Sequence, residues 1–137
     1  MRETTMEKMA RLPPAFLDNG TVTAATSSPL TDGAACNLIS SDRYASENSL
    51  ESLAEIVSTA VTGVDPHIMG IGPVEASKRA LERAEITLDD VDVIELNEAF
   101  SAQSIAVMKD LDLEYDDSRI NINGGALAIG HPLGASG

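Results

Sequence analysis

The sequence predicts an α/β fold in which helices alternate with short strands. Apolar runs of strand length are separated by segments whose small and apolar residues have helical spacing. Glycine, proline, asparagine and aspartate mark most of the boundaries. A chain of 137 residues that is 43% hydrophobic is also long enough to bury a core. This alternation indicates helices layered on a parallel or mixed sheet.

The first predicted element is a short helix near the N-terminus. Thr4 or Thr5 is placed to cap it, and it runs to about Ala10, before a pair of prolines that cannot continue a helix. Residues 17–33 are rich in Asp, Asn, Gly, Ser, Thr and Pro, which predicts a loop.

A strand and a second short helix are predicted next. The apolar run 34–39 has the length of a buried strand, although a helix start fits it as well. Within this run we expect Cys36 to be a buried small hydrophobe rather than a nucleophile. Ser41 is placed to cap a helix that ends at about Glu47.

The remaining elements follow the same alternation. Pro73 suits the first turn of a helix, and Asn97 suits the N-cap of another. The predicted order is strand 53–61, loop 63–72, helix 73–85, strand 91–96, helix 98–109, a solvated acidic connection over 110–117, strand 119–122 and a glycine-rich loop over 123–137. The final Gly-Ala-Ser-Gly resembles a loop that enters a further helix, so we expect the chain to be a piece of a larger protein.

Composition excludes several classes of function. With 22 acidic and 9 basic residues the formal charge is -13, which disfavours nucleic acid and anionic membranes as partners. An apolar run of about 18 residues, as a membrane span requires, is missing from the sequence. The single cysteine excludes an internal disulfide framework and a Cys-rich zinc site, so we expect a cytoplasmic protein without a bound metal. The acid excess fits either a protein from a saline source or an ordinary acidic cytosolic protein.

Two short segments contain residues suited to catalysis. His131 lies in a tail with five glycines, where a ligand can approach the backbone closely and a histidine can exchange protons near neutral pH. Asn97 and Glu98 lie at a predicted strand-to-helix junction, where ligands of α/β proteins collect. Each segment also has a purely structural interpretation: a mobile glycine tail, an N-cap at Asn97, and an acid at Glu98 that suits the helix dipole.

Taken together, five ordered motifs resemble the thiolase family over nearly the whole chain. They are Gly20-Thr21-Val22-Thr23-Ala24, Asp32-Gly33-Ala34-Ala35, Gly63-Val64-Asp65-Pro66 with Met69-Gly70-Ile71-Gly72-Pro73, Asn97-Glu98-Ala99-Phe100, and Asn123-Gly124-Gly125-Ala126 through Gly130-His131-Pro132 to Gly137. The last two are specific signatures of that family.

The resemblance implies a layered fold of two similar α/β halves with a mixed sheet, here incomplete. Residues 1–49 would be the end of the first half with part of its loop region, and residues 50–137 most of the second half. It implies an acyltransferase that condenses two acyl-CoA molecules or cleaves a 3-oxoacyl-CoA with CoA. Coenzyme A thioesters would be substrates, with no bound cofactor, and the family is homo-oligomeric.

The resemblance also implies roles for individual residues. His131 corresponds to the histidine that activates the nucleophilic cysteine and donates to the thioester oxygen. Asn97 corresponds to the asparagine that holds a water in the same oxyanion site. The residues that match the pantetheine pocket of CoA are Ser28, Met69, Phe16, Ala24, Leu30, Ala99 and Phe100.

The family's two catalytic cysteines have no counterpart in this sequence, because Cys36 aligns with a core strand position. We therefore expect the isolated chain to be inactive. Two alternatives remain open: a non-catalytic CoA-binding remnant, or one subunit of a split thiolase that completes its site with a complementary chain.

Overall fold

The computed structural model describes residues 4–136 as a set of short helices joined by long segments without regular secondary structure. The α-helices are α1 (Met6–Ala10), α2 (Asp42–Glu47), α3 (Gly72–Ala84), α4 (Ser101–Asp110) and α5 (Ala126–Ile129), with 3₁₀ helices at Pro66–Ile71 and Leu88–Asp90. Within these residues there is no helix long and apolar enough to cross a membrane.

The first two helices begin where their capping residues predict. The Thr5 hydroxyl accepts the Lys8 amide at 3.3 Å, and the Ser41 hydroxyl accepts the Tyr44 amide at 3.2 Å. Each bond satisfies one of the amides that a helix leaves free in its first turn. The predictions of helices over 5–10 and 41–47 are therefore confirmed.

The core lies where α3, α4 and the first 3₁₀ helix pack together. Val107 on α4 is 1% exposed, and Val74 on α3 is 5% exposed. Leu113 is also buried and its amide bonds to the Met108 carbonyl at 2.9 Å, so the acidic stretch after α4 folds back onto the core. This corrects the expectation that residues 110–117 are a wholly solvated connection.

The predicted strands 34–39 and 53–61 form neither helix nor β pairing among residues 4–136. Their apolar side chains are largely exposed: Leu38 is 89% exposed and Leu53 is 99% exposed. A strand depends on a partner for its backbone hydrogen bonds, so an apolar run does not form one by itself. Cys36, expected to be buried, is exposed for the same reason.

Pairing of β type is limited to two isolated bridges in the described part of the chain. Ile94 pairs with Ile120 in parallel, within the predicted strands 91–96 and 119–122, and Ser27 pairs with Phe100 in antiparallel fashion. The mixed sheet expected from the sequence is thus not seen among these residues.

The second bridge shifts the start of α4. It holds Phe100 in extended backbone with φ -143° and ψ 141°, so the helix begins at Ser101 and not at Glu98. The prediction that Asn97 caps this helix is therefore wrong. Its side chain lies four residues before the helix and is available for other contacts.

The C-terminal glycine-rich segment also differs from its prediction, since it contains the single-turn helix α5. Gly130 ends this helix with a φ of +102°, a backbone conformation that residues with a Cβ rarely adopt. The helix thus places His131 at a defined turn.

Candidate functional site

The site is built on the parallel bridge between Ile94 and Ile120. The Ile94 amide donates to the Arg119 carbonyl at 2.9 Å, and the Asn121 amide donates to the Ile94 carbonyl at 2.8 Å. Asn121 then turns away with a φ of 49°, in the left-handed region that asparagine tolerates better than most residues. Its side-chain amide continues the pairing, because it bonds both the amide and the carbonyl of Leu96, at 2.8 and 2.9 Å.

The Arg119 side chain stabilises the segments around this bridge. Its guanidinium donates to the carbonyls of Leu88 and Val91, at 2.8 and 2.9 Å, and forms an ion pair with Asp117 at 2.7 Å. Hydrogen bonds from the Arg119 side chain and backbone amide hold the pKa of Asp117 at about 2, below its usual 3.8. The pair is a structural support, and within residues 4–136 it forms no hydrogen bond with Asn97 or His131.

Glu98 joins the first loop of the site, residues 96–100, to the glycine-rich loop. One carboxylate oxygen accepts the Asn121 side-chain amide at 2.7 Å, and the other accepts the Leu127 backbone amide at 3.1 Å. The carboxylate lies directly against the Cα of Gly125, where any Cβ would overlap it. A side chain at position 125 would therefore displace Glu98.

The glycine-rich loop rests on residues 29–33. A Cβ at Gly130 would lie 2.5 Å from the Thr31 methyl carbon, and a Cβ at Gly33 would lie 2.6 Å from Cγ of Pro132. Such distances are far below ordinary van der Waals contact, so both glycines are needed for this close approach. The His131 amide also points at the Pro29 carbonyl, at 3.4 Å.

Asn97 and His131 meet at the junction of these loops, 34 positions apart in sequence. Nδ2 of Asn97 lies 3.3 Å from Nε2 of His131. Asn97 is exposed and His131 is half-buried, so the pair faces solvent on one side. Nδ2 of Asn97 donates to Nε2 of His131 when that nitrogen is unprotonated. Once Nε2 is protonated both nitrogens are donors, and an oxygen with partial negative charge beside them would satisfy both.

The second ring nitrogen of His131 is enclosed. Nδ1 is buried, and among residues 4–136 it has no hydrogen-bond partner. Among these residues the hydrogen-bonding contact of the ring is the one between Nε2 and Asn97.

Several of the predicted CoA residues lie together beside this pair. The Ser28 amide donates to the Ala99 carbonyl at 3.0 Å, as part of the antiparallel bridge. The rings of Phe16 and Phe100 meet edge to face, with centroids 6.3 Å apart. The structure thus brings four of the seven predicted residues into one cluster.

The other three lie outside this cluster and are exposed, as Phe16 is within it at 74%. Leu30 is 92% exposed and follows Pro29, whose carbonyl faces the His131 amide. Ala24 is exposed in the turn that precedes the antiparallel bridge, and Met69 is 75% exposed on the first 3₁₀ helix, which packs on α4. No cluster of His, Cys, Asp and Glu side chains able to hold a metal ion occurs between residues 4 and 136.

Sequence reasoning missed the role of Asn121 and gave Glu98 only an interaction with the helix dipole. The available signal for Asn121 was an asparagine at the end of an apolar run, just before a glycine-rich loop. Such a residue can adopt positive φ and bond to neighbouring backbone. Pairing it with Leu96 and Glu98, more than 20 positions away, requires the fold.

Comparison with known proteins identifies the family of this chain. The family model "Thiolase, C-terminal domain" matches residues 50–137, and "Thiolase, N-terminal domain" matches residues 1–43. The chain is 56% identical over 137 residues to a 3-ketoacyl-CoA thiolase of Marinomonas sp. strain MWYL1, covering 98% of this chain and 35% of the relative.

Solved structures give the same result. The acetyl-CoA acetyltransferase of Bacillus anthracis superposes with a TM-score of 0.90 at 48% identity, over 96% of this chain and 33% of that protein. Human mitochondrial 3-ketoacyl-CoA thiolase in complex with CoA superposes with a TM-score of 0.88 at 45% identity, over 98% and 34%. The chain spans about a third of the length of these relatives. A family model that covers residues 50–137 and structural likeness at this identity establish that the chain belongs to the thiolase family.

Proposed function

We propose that this chain supplies the oxyanion-stabilising part of a thiolase-type acyltransferase, which condenses acyl-CoA molecules or cleaves a 3-oxoacyl-CoA with CoA. The observation that carries the proposal is the 3.3 Å approach of the Asn97 amide to the His131 ring. The two residues come from the two family signatures and meet only through folding. Two adjacent polar groups, one exposed and one half-buried, provide a place for a thioester oxygen.

The chemistry follows from these two groups. Negative charge develops on the thioester oxygen when a thiolate attacks its carbonyl carbon, and fixed donors stabilise that charge without reorganisation. Nε2 of His131 accepts the proton of the attacking thiol, and the ring, then protonated at Nε2, donates to the thioester oxygen. Asn97 supplies a second donor, directly or through a water. We propose that the thiol comes from outside these 137 residues, because the single cysteine, Cys36, is exposed in a segment without helix or β pairing.

The cluster beside the pair fits the pantetheine arm of CoA. The edge-to-face rings of Phe16 and Phe100 offer an apolar wall, and Ser28 with Ala99 offers backbone polar groups at its edge. A narrow apolar passage with few polar groups suits a pantetheine chain. That a relative of 45% identity was solved with CoA supports this assignment.

The segment over residues 53–64 is proposed to be a strand of the mixed sheet. From residue 57 to residue 64, exposed and half-buried positions alternate strictly, which is the period of a strand. The half-buried side is fastened near α3: the Ser58 hydroxyl donates to the Ala80 carbonyl at 2.7 Å, and Thr62 donates to Gly72 at 3.3 Å. We propose that its partner strands, like the rest of the first thiolase half that ends near residue 49, belong to the part of the relatives that this chain does not span.

A chimera tests the proposed function. This chain would replace the matching third of the Marinomonas thiolase, and thiolysis of a 3-oxoacyl-CoA would be measured. We expect turnover in the chimera, a loss of about 10²–10³-fold in kcat for His131→Ala and Asn97→Ala, and no turnover for the 137-residue chain alone. His67→Ala is the matched control, since His67 is an exposed histidine on the 3₁₀ helix.

The outcomes separate the alternatives. An inactive chimera, or His131→Ala and Asn97→Ala variants as active as the control, would contradict the proposal. Tight binding of CoA to the chimera without turnover would favour the non-catalytic remnant. Activity restored by mixing this chain with a separate chain that carries the remaining thiolase segments would favour the split enzyme.

A further inference from the structure

We infer that Glu98 is a positioning residue for the Asn97–His131 pair, because its carboxylate fastens together the two loops that carry them. The inference deepens the proposed function and depends on it for its kinetic consequence. Glu98 directly follows Asn97, so the carboxylate and the Asn97 amide belong to the same loop, residues 96–100.

The two oxygens of the Glu98 carboxylate accept hydrogen bonds from two different residues. Its first oxygen accepts the Asn121 side chain at 2.7 Å, and Asn121 is itself bonded to both backbone groups of Leu96. This bond fixes the loop that carries Asn97. Its second oxygen accepts the Leu127 amide at 3.1 Å, on the single-turn helix that leads to His131. Bonds between a charged acceptor and N–H donors are among the stronger hydrogen bonds.

The Glu98 carboxylate packs closely against Gly125 in the glycine-rich loop. The carboxyl group occupies the space that a Cβ at Gly125 would take. The glycine-rich loop therefore closes over Glu98 at its closest point. A glycine at position 125 is explained by this contact, since its φ is not among the positive values of the chain.

The structural interpretation of Glu98 as a first-turn acid does not account for these contacts. The helix α4 begins at Ser101, three residues beyond Glu98. Both carboxylate oxygens bond to residues of the second loop and its bridge rather than to amides of α4.

Glu98→Gln in the chimera tests the inference. Glutamine keeps the shape but presents an NH₂ group to one of two donors, so one anchor is lost. We expect kcat to fall about 10- to 100-fold with KM for CoA within about twofold, because misplacement of catalytic groups affects the transition state more than substrate binding. Glu95→Gln, the same change at an exposed acid three residues earlier, should behave as the unaltered chimera.

A double-mutant cycle tests the contact with Gly125. Gly125→Ala should lower kcat as much as Glu98→Ala, because the new methyl group displaces the carboxylate. In the Glu98→Ala background the same change should cost less than about threefold, since the obstructed group is gone. Independent, multiplicative losses, or a kcat of Glu98→Gln equal to that of Glu95→Gln, would overturn the inference.

Amide exchange in the 137-residue chain separates this inference from the proposed function. We expect exchange of the Leu127 amide to be at least about tenfold faster in Glu98→Gln than in Glu95→Gln, together with a change in the ¹⁵N signals of the His131 ring. Unchanged Leu127 exchange would overturn the positioning role even if the chimera is active. Faster exchange in a chain whose chimera is inactive would support the link between the loops while contradicting the acyltransferase proposal.

Discussion

Asn97 and His131 are brought together by residues with no direct part in the proposed chemistry. Asn121 replaces a stretch of strand pairing with its side chain, and this frees the backbone after Leu96 to turn. Gly130 turns the chain at a φ that other residues rarely adopt, and this aims His131 at the same place. The geometry of the pair is therefore set by a few polar and glycine residues at loop junctions.

Gly130→Ala should test this at the level of one residue. Alanine would have to adopt a φ near +102° and accommodate Thr31 within 2.5 Å of its Cβ. Such strain costs about 1–3 kcal/mol, so we expect the free energy of unfolding to fall by about that amount. Urea unfolding of the 137-residue chain measures it.

Gly134→Ala is the matched control, because a Cβ there meets open space. We expect it to change the free energy of unfolding by less than about 0.5 kcal/mol. Equal effects of the two variants would contradict the argument.

Asp117 gives a pH-dependent prediction. Its pKa is about 2 in the folded chain against a usual 3.8, so its ionised form is favoured by folding. This contribution to stability is present above about pH 4 and is lost as the pH falls toward 2. In Asp117→Asn we expect lower stability near neutral pH and a shallower loss of stability over that acid range.

The measurement is urea unfolding at a series of pH values. Asp116→Asn is the control, since Asp116 is the exposed neighbour and removes the same charge. If stability depends on pH in both variants as it does in the unaltered chain, the ion pair between Asp117 and Arg119 does not stabilise the fold.

At the level of elements, the C-terminal end of α3 is the clearest place to alter stability. Glu85 follows the helix in left-handed backbone, with a φ of 57°, and the amides of Glu85 and Ile86 bond back to the last turn. Glycine is the usual residue at such a position, because a Cβ costs about 1–2 kcal/mol there.

We expect Glu85→Gly to stabilise the chain by about 0.5–1 kcal/mol, after the greater freedom of glycine in the unfolded chain is subtracted. Glu82→Gly, on the exposed side of the same helix, should instead destabilise it by about 1 kcal/mol. Thermal unfolding followed by far-UV circular dichroism would show the two changes with opposite sign.

The elements also show which parts of the structure a sequence can predict. Thr5, Ser41 and Pro73 mark helix starts because capping acts within a few residues, and helices near those positions are present. Strand 34–39 fails because its pairing depends on residues elsewhere, and α4 starts late because Ser27 holds Phe100 in a bridge. The approach of Asn97 to His131 has the same long-range origin: the motifs nominate both residues, but their contact needs the fold.

For the molecule as a whole, the distribution of exposed apolar residues is the dominant feature. Large apolar side chains of the segments without regular secondary structure are open to solvent, among them Leu38, Leu53, Val57 and Val61. The buried apolar residues lie mainly where α3 and α4 pack. In a fold three times as long, we expect those segments to pair with partner strands and their side chains to be covered by a layer packed on the sheet.

The acidic surface is a second property of the whole molecule. A formal charge of -13 on 137 residues causes net self-repulsion, which dissolved salt screens over a length of about 10 Å at 0.1 M and about 3 Å at 1 M. This repulsion affects the stability of the folded chain. It does not affect the contact between Asn97 and His131, which depends on local hydrogen-bond donors.

The same substitution at two valines tests whether the segment over residues 53–64 is a strand of a larger sheet. Val57 is 72% exposed and lies in the alternating segment, whereas Val107 is 1% exposed in the core. In the 137-residue chain, Val57→Ala should change the free energy of unfolding by less than about 0.5 kcal/mol, and Val107→Ala should cost about 2 kcal/mol. In the chimera with the Marinomonas thiolase, where partner strands are present, both changes should cost about 2 kcal/mol, because each then removes buried methyl groups. A Val57→Ala change that is as harmless in the chimera as in the isolated chain would show that the segment stays exposed in the larger fold, and would contradict its assignment to the mixed sheet.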